Sequence, residues 1–179
     1  MLDIVDCCSM LWRLEMEGIN IGDRWNDIYE VCRPHIDDHI LAFNDIHVLM
    51  SCLGAKKTDT VAKMMASIKD FIENCKGINQ DITRDVGATI CEAFAAYSDG
   101  EFAKAVDLLK PVRYKVLRIG GSNAQRDLFN LFLINAALKS PLTKHHRLAR
   151  ALLVERKALK EDAPMTDRMM ARAMALHVD

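Results

Sequence analysis

Apolar residues recur along this chain at the spacing of amphipathic helices. In the first stretch, from Ile4 to about Gly18, they return every three or four positions and so fall on one face of a helix. The same spacing continues towards the last residues, and nowhere does the sequence alternate apolar and polar positions over the length of a strand. The pattern therefore predicts an all-α protein.

Glycine, proline and capping residues divide this pattern into about nine predicted helices. Pro34 limits the second helix, Gly54 ends the third, and Pro111 is expected to kink the sixth. Ser122 is predicted to cap the seventh helix, with Gln125 completing a capping box. The predicted helices cover residues 4–18, 25–32, 37–53, 58–72, 82–97, 102–119, 122–138, 143–159 and 166–178.

Three short segments of similar sequence indicate an internal repeat. They are V-A-K-M-M from Val61, F-A-K-A-V from Phe102 and L-A-R-A-L from Leu148, and each opens the second helix of a predicted hairpin. Their spacings of 41 and 46 residues match two-helix repeats, in which small alanines let neighbouring helices approach closely. We therefore predict a single domain, residues 1–179, of stacked antiparallel helical hairpins, a tetratricopeptide-like α-solenoid. An irregular helical bundle is the alternative.

Several short motifs, taken in order, resemble the tetratricopeptide repeat protein 38 family. They are W-R-L-E-x-E-G from Trp12, G-D-R-W from Gly22, F-N-D-x-H from Phe43, R-D-V-G from Arg84 and G-G-S-N-A-Q-R-D from Gly120. The resemblance extends from the first residues to about Leu159. It implies a helical-repeat protein whose biochemical role is poorly defined, and it matches the C-terminal portion of longer family members. It implies no catalytic residue.

Composition and charge exclude several classes of partner. The net charge of -1 argues against a dedicated binder of nucleic acid or of membrane surfaces, since both require an excess of Lys and Arg. No apolar run is long enough to cross a bilayer, and the acidic first residues lack the basic region of a secretory signal. The six cysteines form no C-x-x-C pair and mostly have apolar neighbours, which favours reduced thiols and a cytoplasmic location.

The stretch R-P-H-I-D-D-H-I-L-A-F-N-D-I-H-V-L, residues 33–49, permits two interpretations. On a helix, His35 and His39 share one face four residues apart, and together with Asp45 and His47 they suggest a metal-binding protein or a metal-dependent enzyme. However, Ile36 stands where zinc proteases of the H-E-x-x-H type carry glutamate, and His47 lies about 12 Å along the axis from His39. We therefore interpret the stretch as a structural polar face and predict no cofactor.

Two further stretches invite a ligand interpretation. Gly120-Gly121-Ser122 opens a helix whose free N–H groups suit phosphate, but the lysine and spacing of a phosphate loop are missing, so we assign it to capping. The basic run 144–150 is interpreted as a solvated helix face. Nucleophilic catalysis has little support in the sequence, since no Gly-x-Ser-x-Gly motif occurs and no cysteine stands in an electropositive setting beside a histidine.

The sequence thus favours a non-catalytic protein-interaction module over an enzyme, with a protein or peptide as partner. We expect its concave surface to be lined by the first helices of successive hairpins, which are residues 37–53, 82–97 and 122–138. The polar residues predicted to lie on this surface are Asn44, His47, Arg84, Arg126 and Asn130.

The first predicted helix carries apolar residues around much of its circumference. Leu11 and Trp12 are the largest side chains near its centre, and the acidic residues are confined to its ends. A helix of this composition requires partners on more than one side. We therefore predict self-association through the first two helices, with Leu11 and Trp12 at the contact.

Overall fold

A computed structural model describes residues 1–176, and these residues form an all-α fold without a β-strand, as predicted. Two 3-10 segments, Arg33–His35 and Arg113–Ile119, follow α2 and α7, and a π-helical segment, Thr83–Gly87, joins α5 to α6. Within the described residues, no helix is both long and apolar enough to cross a membrane. The α-helices are α1 (Leu2–Met16), α2 (Arg24–Cys32), α3 (Ala42–Gly54), α4 (Thr58–Asn74), α5 (Ile78–Ile82), α6 (Ala88–Ser98), α7 (Phe102–Val112), α8 (Asn123–Lys139), α9 (Thr143–Leu159) and α10 (Pro164–Ala175).

Local capping signals in the sequence correctly locate several helix ends. The capping box of α8 is present: the N–H of Gln125 donates to Ser122 Oγ at 3.2 Å, and the N–H of Ser122 donates to Gln125 Oε1 at 2.8 Å. Gly54 is the last residue of α3, where an added Cβ would overlap the indole of Trp25. This glycine both ends the helix and admits a core tryptophan.

The predicted start of the third helix is wrong. The sequence pattern places it at Asp37, but α3 begins at Ala42, and His39 has a positive φ of 44° that no α-helix contains. The side chain of Asn79 stabilises this arrangement: its Nδ2 donates to the carbonyl oxygen of His39 at 2.6 Å, and its Oδ1 accepts from the N–H of Ala42 at 3.1 Å. The cap of α3 is therefore supplied by a side chain from the distant helix α5.

Two other predicted helices have a different internal geometry. The predicted helix 82–97 begins earlier, at Ile78, and includes the π-helical segment. The predicted helix 102–119 keeps α geometry only to Val112, because Pro111 has no N–H to continue the hydrogen-bond pattern, and the chain proceeds as a 3-10 segment. The last predicted helix corresponds to α10, and its expected end at Val178 lies outside the described residues.

Consecutive helices pair into hairpins that pack against one another in order. The pairs are α1–α2, α3–α4, α6–α7 and α8–α9. The second helix of each pair contacts the first helix of the next, and α9 contacts α10 in the same way. The three similar sequence segments lie in α4, α7 and α9, the second helices of their hairpins.

Helix α1 contacts helices that are distant in sequence as well as its neighbour α2. It packs on α3 and on α8, and the indole of Trp12 contacts the rings of Phe94 and Phe132, with centroids 5.0 and 6.3 Å away. At the end of α1, Glu17 accepts hydrogen bonds from two arginines of α10, Arg168 and Arg172. The row of hairpins is thus closed by its first helix.

The packing of α1 against the rest of the fold leaves Leu11 and Trp12 unavailable for the predicted contact between two copies of the chain. Leu11 and Trp12 are 4% and 5% exposed and lie in the core of their own chain, so they cannot form the predicted contact between copies. The apolar residues of α1 and α2 that face solvent are different ones, including Met10 and Val31.

Candidate functional site

The five predicted surface residues do not share one surface. His47 on α3 is completely buried, which corrects its assignment to a binding surface, and Asn44 on the same helix is half-buried. Arg84 lies exposed in the π-helical segment, where its guanidinium contacts Asp81 at 2.9 Å. Arg126 and Asn130, both half-buried on α8, are the two that line a common groove.

His47 is buried because α1 covers the expected concave face. Its Nε2 lies 2.9 Å from Ser9 Oγ of α1, and its Nδ1 lies 2.7 Å from the carbonyl oxygen of Phe43. Burial disfavours the imidazolium form and lowers the pKa of His47 to about 4, although the Phe43 carbonyl acts in the opposite direction. His47 is therefore a neutral hydrogen-bonding residue of the core at neutral pH.

The alternative interpretation, a metal site of His35, His39, Asp45 and His47, has no matching arrangement in the described residues. His35 lies in a 3-10 segment and His39 in the link before α3, so they do not share a helix face; the Nδ1 of His35 contacts Asp38 instead, at 2.7 Å. Asp45 is close to His39, whereas His47 is directed towards α1. Within residues 1–176, no group of three His, Cys, Asp or Glu side chains is placed to hold a metal ion. The interpretation of the stretch as one polar helix face is also wrong, since residues 33–41 form a 3-10 segment and a link before α3 begins.

The environment of His39 includes a residue that the sequence did not indicate. Ser67 of α4 has its Oγ 2.8 Å from His39 Nε2, and Asp45 Oδ2 lies 3.4 Å from His39 Nδ1. The ring of His39 also stacks on Phe71, also of α4, with centroids 5.0 Å apart. No local motif marks Ser67, because His39 and Ser67 are 28 residues apart in sequence.

A second histidine forms a related set of contacts within the basic run 144–150. His145 is 3% exposed, so the interpretation of the whole run as a solvated face is wrong at this position. Its Nδ1 lies 2.7 Å from Ser140 Oγ, and its Nε2 lies 3.1 Å from Asp107 Oδ1 of α7. These contacts connect the turn between α8 and α9 to α7.

The Gly120-Gly121-Ser122 turn is filled by groups of the protein itself. The guanidinium of Arg126 donates to the carbonyl oxygens of Gly120 and Gly121, and the capping box engages Ser122. Gly121 has a positive φ of 77°, and an added Cβ would lie 2.7 Å from the ring of Phe43. The contacts of this turn support the capping assignment.

A groove of about 340 Å³ lies between the Arg113–Ile119 segment and helices α8 and α9. Tyr114 and Leu117, at its rim, are 73% and 67% exposed. Arg113 stacks on the ring of Tyr114, 4.5 Å from its centroid, and its guanidinium also donates to Glu155 at 2.7 Å. Arg113 is therefore paired within the protein, while the large apolar side chains of Tyr114 and Leu117 face solvent.

A scan against models of known protein families finds no family that matches this chain, and a search of solved protein structures finds no match either.

Proposed function

We propose that this chain is a tetratricopeptide-like stack of helical hairpins, related to the tetratricopeptide repeat protein 38 family, that works as a protein-interaction module. The sequential packing of the hairpins supports the repeat assignment. Four buried cysteines that remain free thiols support a cytoplasmic location. The observation that carries the interaction function is the groove beside the Arg113–Ile119 segment, with its exposed apolar rim.

The chemistry of this groove favours an apolar partner segment. Arg113 is paired with Glu155, and Arg126 donates to Asn123 Oδ1 at 2.6 Å, so neither arginine requires an acidic ligand. Tyr114 and Leu117 form an exposed apolar pair of the kind that marks binding sites. The groove volume of about 340 Å³ is sufficient for a few side chains of a bound peptide. Asn130, also in the lining, offers polar atoms to the backbone of such a peptide.

A peptide library displayed on phage tests this function. We expect the immobilised chain to enrich peptides that present aromatic or aliphatic side chains at a common spacing. Binding of these peptides should fall about tenfold or more in the double variant Tyr114→Ser/Leu117→Ser, because buried anchors of this type dominate interface energies.

The matched control replaces two other exposed apolar residues, Ile78 and Leu159, each 81% exposed and outside the groove. The variant Ile78→Ser/Leu159→Ser should bind the selected peptides as the unaltered chain does. Failure to enrich any peptide, or equal binding by the two double variants, contradicts the proposed function.

A further inference from the structure

Three side chains from separate elements form a continuous line of polar contacts beside α4. Ser67 contacts His39 Nε2, and the other ring nitrogen, Nδ1, lies 3.4 Å from Asp45 Oδ2. His39 Nδ1 and Asp45 Oδ2 are both buried, and neither makes a hydrogen bond within the described residues, so their 3.4 Å approach is a close polar contact and not a formed hydrogen bond. Asp45 Oδ2 therefore places a carboxylate oxygen beside this ring nitrogen.

The ring of His39 is held in a defined orientation. Its plane lies 27° from that of Phe71, in a stacked contact. The backbone of His39 is fixed as well, because its carbonyl oxygen accepts a hydrogen bond from Asn79 at 2.6 Å. A ring fixed by packing and by its backbone directs its nitrogens at constant positions, as a proton-transfer group requires.

The carboxylate of Asp45 determines which ring nitrogen carries the proton. Its side chain is 4% exposed, and its Oδ2 lies 3.4 Å from His39 Nδ1. A carboxylate oxygen accepts hydrogen bonds, so the tautomer of neutral His39 with its proton on Nδ1 suits this contact. Nε2 of the neutral ring is then an acceptor, and the hydroxyl of Ser67 donates to it.

The serine is the member of this line that reaches the surface. Ser67 is half-buried, whereas His39 and Asp45 are 8% and 3% exposed. Ile40 and Leu41, which follow His39 in the chain, are 66% and 47% exposed. They provide apolar surface next to the histidine, where a short acyl chain could rest.

We infer that Ser67 is an activated hydroxyl that accepts an acyl group from a carboxylic ester, with His39 as general base and Asp45 as the residue that positions His39. Ser67 Oγ forms a bond to the carbonyl carbon of the ester while its proton moves to His39 Nε2. The bond from that carbon to the alcohol oxygen then breaks, and the alcohol oxygen takes the proton from Nε2. Water attacks the acyl-serine by the same route, so one ester and one water give one acid and one alcohol.

The position of Ser67 determines how fast this reaction runs. It lies inside α4, where the N–H groups of its own turn are used in the helix. They are not free to stabilise the negative oxygen of the tetrahedral intermediate, which is a large contribution in efficient acyl-transfer enzymes. We therefore expect slow turnover, and single acylation of Ser67 is the appropriate measurement.

Labelling with a fluorophosphonate probe, which reacts with activated serines, tests the inference. The full chain is incubated with the probe, digested and mapped by mass spectrometry. The label is expected on Ser67 and is expected to vanish in Ser67→Ala, a change that suits a helical position. The labelling rate should fall about 100-fold or more in His39→Gln and in Asp45→Asn, the range that general-base catalysis contributes.

Two other serines that contact histidines are matched controls. Ser9 and Ser140 are 3% and 2% exposed, so the variants Ser9→Ala and Ser140→Ala should leave the labelling of Ser67 unchanged. Mapping after incubation with p-nitrophenyl acetate should find an acetyl group on Ser67 that is absent from the same digest of Ser67→Ala.

Three results overturn the inference. The first is a folded wild-type chain, verified by far-ultraviolet circular dichroism, that carries no probe on Ser67. The second is an equal rate of Ser67 labelling in the wild type and in folded His39→Gln or Asp45→Asn. The third is acetylation confined to lysines and cysteines.

Discussion

Two regions of this molecule contain the same three residue types with opposite exposure. In Ser67–His39–Asp45 the carboxylate is buried and the serine reaches the surface. In the set Ser140–His145–Asp107, the serine is buried and the side chain of Asp107 is 55% exposed. The histidine is buried in both.

The difference in exposure decides what each set can do. The side chain of Asp107 is 55% exposed and contacts Lys144 at 3.4 Å as well as His145, so the histidine is one of several groups that stabilise its charge. Ser140 Oγ accepts a hydrogen bond from the N–H of Leu142 at 3.2 Å and so belongs to the turn before α9. The side chain of Asp45, in contrast, is 4% exposed and lies 3.4 Å from His39 Nδ1. The first set therefore polarises a surface hydroxyl, and the second connects three helices.

The largest expected effect comes from removing His39. The variant His39→Leu removes the hydrogen bond with Ser67 and leaves the carboxylate of Asp45 buried without its polar neighbour, which together should lower the free energy of unfolding by about 3 kcal/mol. Urea denaturation measures the loss. In the double variant His39→Leu/Asp45→Leu no buried charge remains, and at least half of the lost stability should return. A double variant as unstable as His39→Leu would show that the two residues are not coupled.

A third buried histidine, His47, contacts a serine and a backbone carbonyl oxygen instead of a carboxylate. Its pKa is about 4 in the folded chain, against about 6.5 for an unperturbed histidine, so between these values the unfolded chain binds more protons. Its contribution to stability is therefore lost as the pH falls from about 6.5 towards 4, up to about 3 kcal/mol. Urea denaturation across this pH range should show a smaller loss for His47→Gln than for the wild type. If the free energy of unfolding depended on pH identically in the two proteins, the lowered pKa of His47 would be contradicted.

Removing His145 should cost less than removing His39. In His145→Leu the carboxylate of Asp107 remains in water and Ser140 keeps its contact with Leu142, so the expected loss is about 1–2 kcal/mol, that of a buried hydrogen bond. Asp107→Asn is the control and should change stability by no more than about 0.5 kcal/mol, since this side chain is at the surface. A loss in His145→Leu equal to that in His39→Leu would remove the distinction between the two sets.

The smallest expected effect concerns the side chain that holds the backbone of His39. Asn79→Ala removes the cap of α3 and should cost about 1 kcal/mol. Hydrogen exchange should become faster at the N–H of Ala42 and remain unchanged in α8. Asn74→Ala, which removes an exposed contact with Asp70, is the control and should have little effect. Equal changes in the two variants would show that Asn79 has no capping role.

The predictable parts of this fold are those encoded by neighbouring residues. The capping box of Ser122 and Gln125 spans three positions, and the effect of Pro111 falls on its own helix, so both were predicted from the sequence. The start of α3 was not, because its cap, Asn79, lies 37 residues from Ala42. A stretch that is polar at helical spacing looks the same whether it is a helix or a link held by a distant side chain.

The same distinction applies to the candidate site residues. Arg126 and Asn130 are four positions apart on one helix, and the structure has both in the lining of the groove. His47 was predicted to be exposed because the sequence did not indicate that Ser9 of α1 would cover it. Ser67 was missed for a similar reason, since serines on helix surfaces are common and its histidine comes from another element.

The closure of the fold by α1 also has a consequence for the order of events during synthesis. Asn135 donates a hydrogen bond to the carbonyl oxygen of Met16, 119 residues earlier, and Arg168 contacts Glu17 across 151 residues. At translation rates of about 5–20 residues per second, Asn135 is synthesised roughly 6–24 s after the end of α1. During that interval the indole of Trp12 lacks the ring of Phe132, so we expect the nascent chain to expose apolar surface that molecular chaperones recognise.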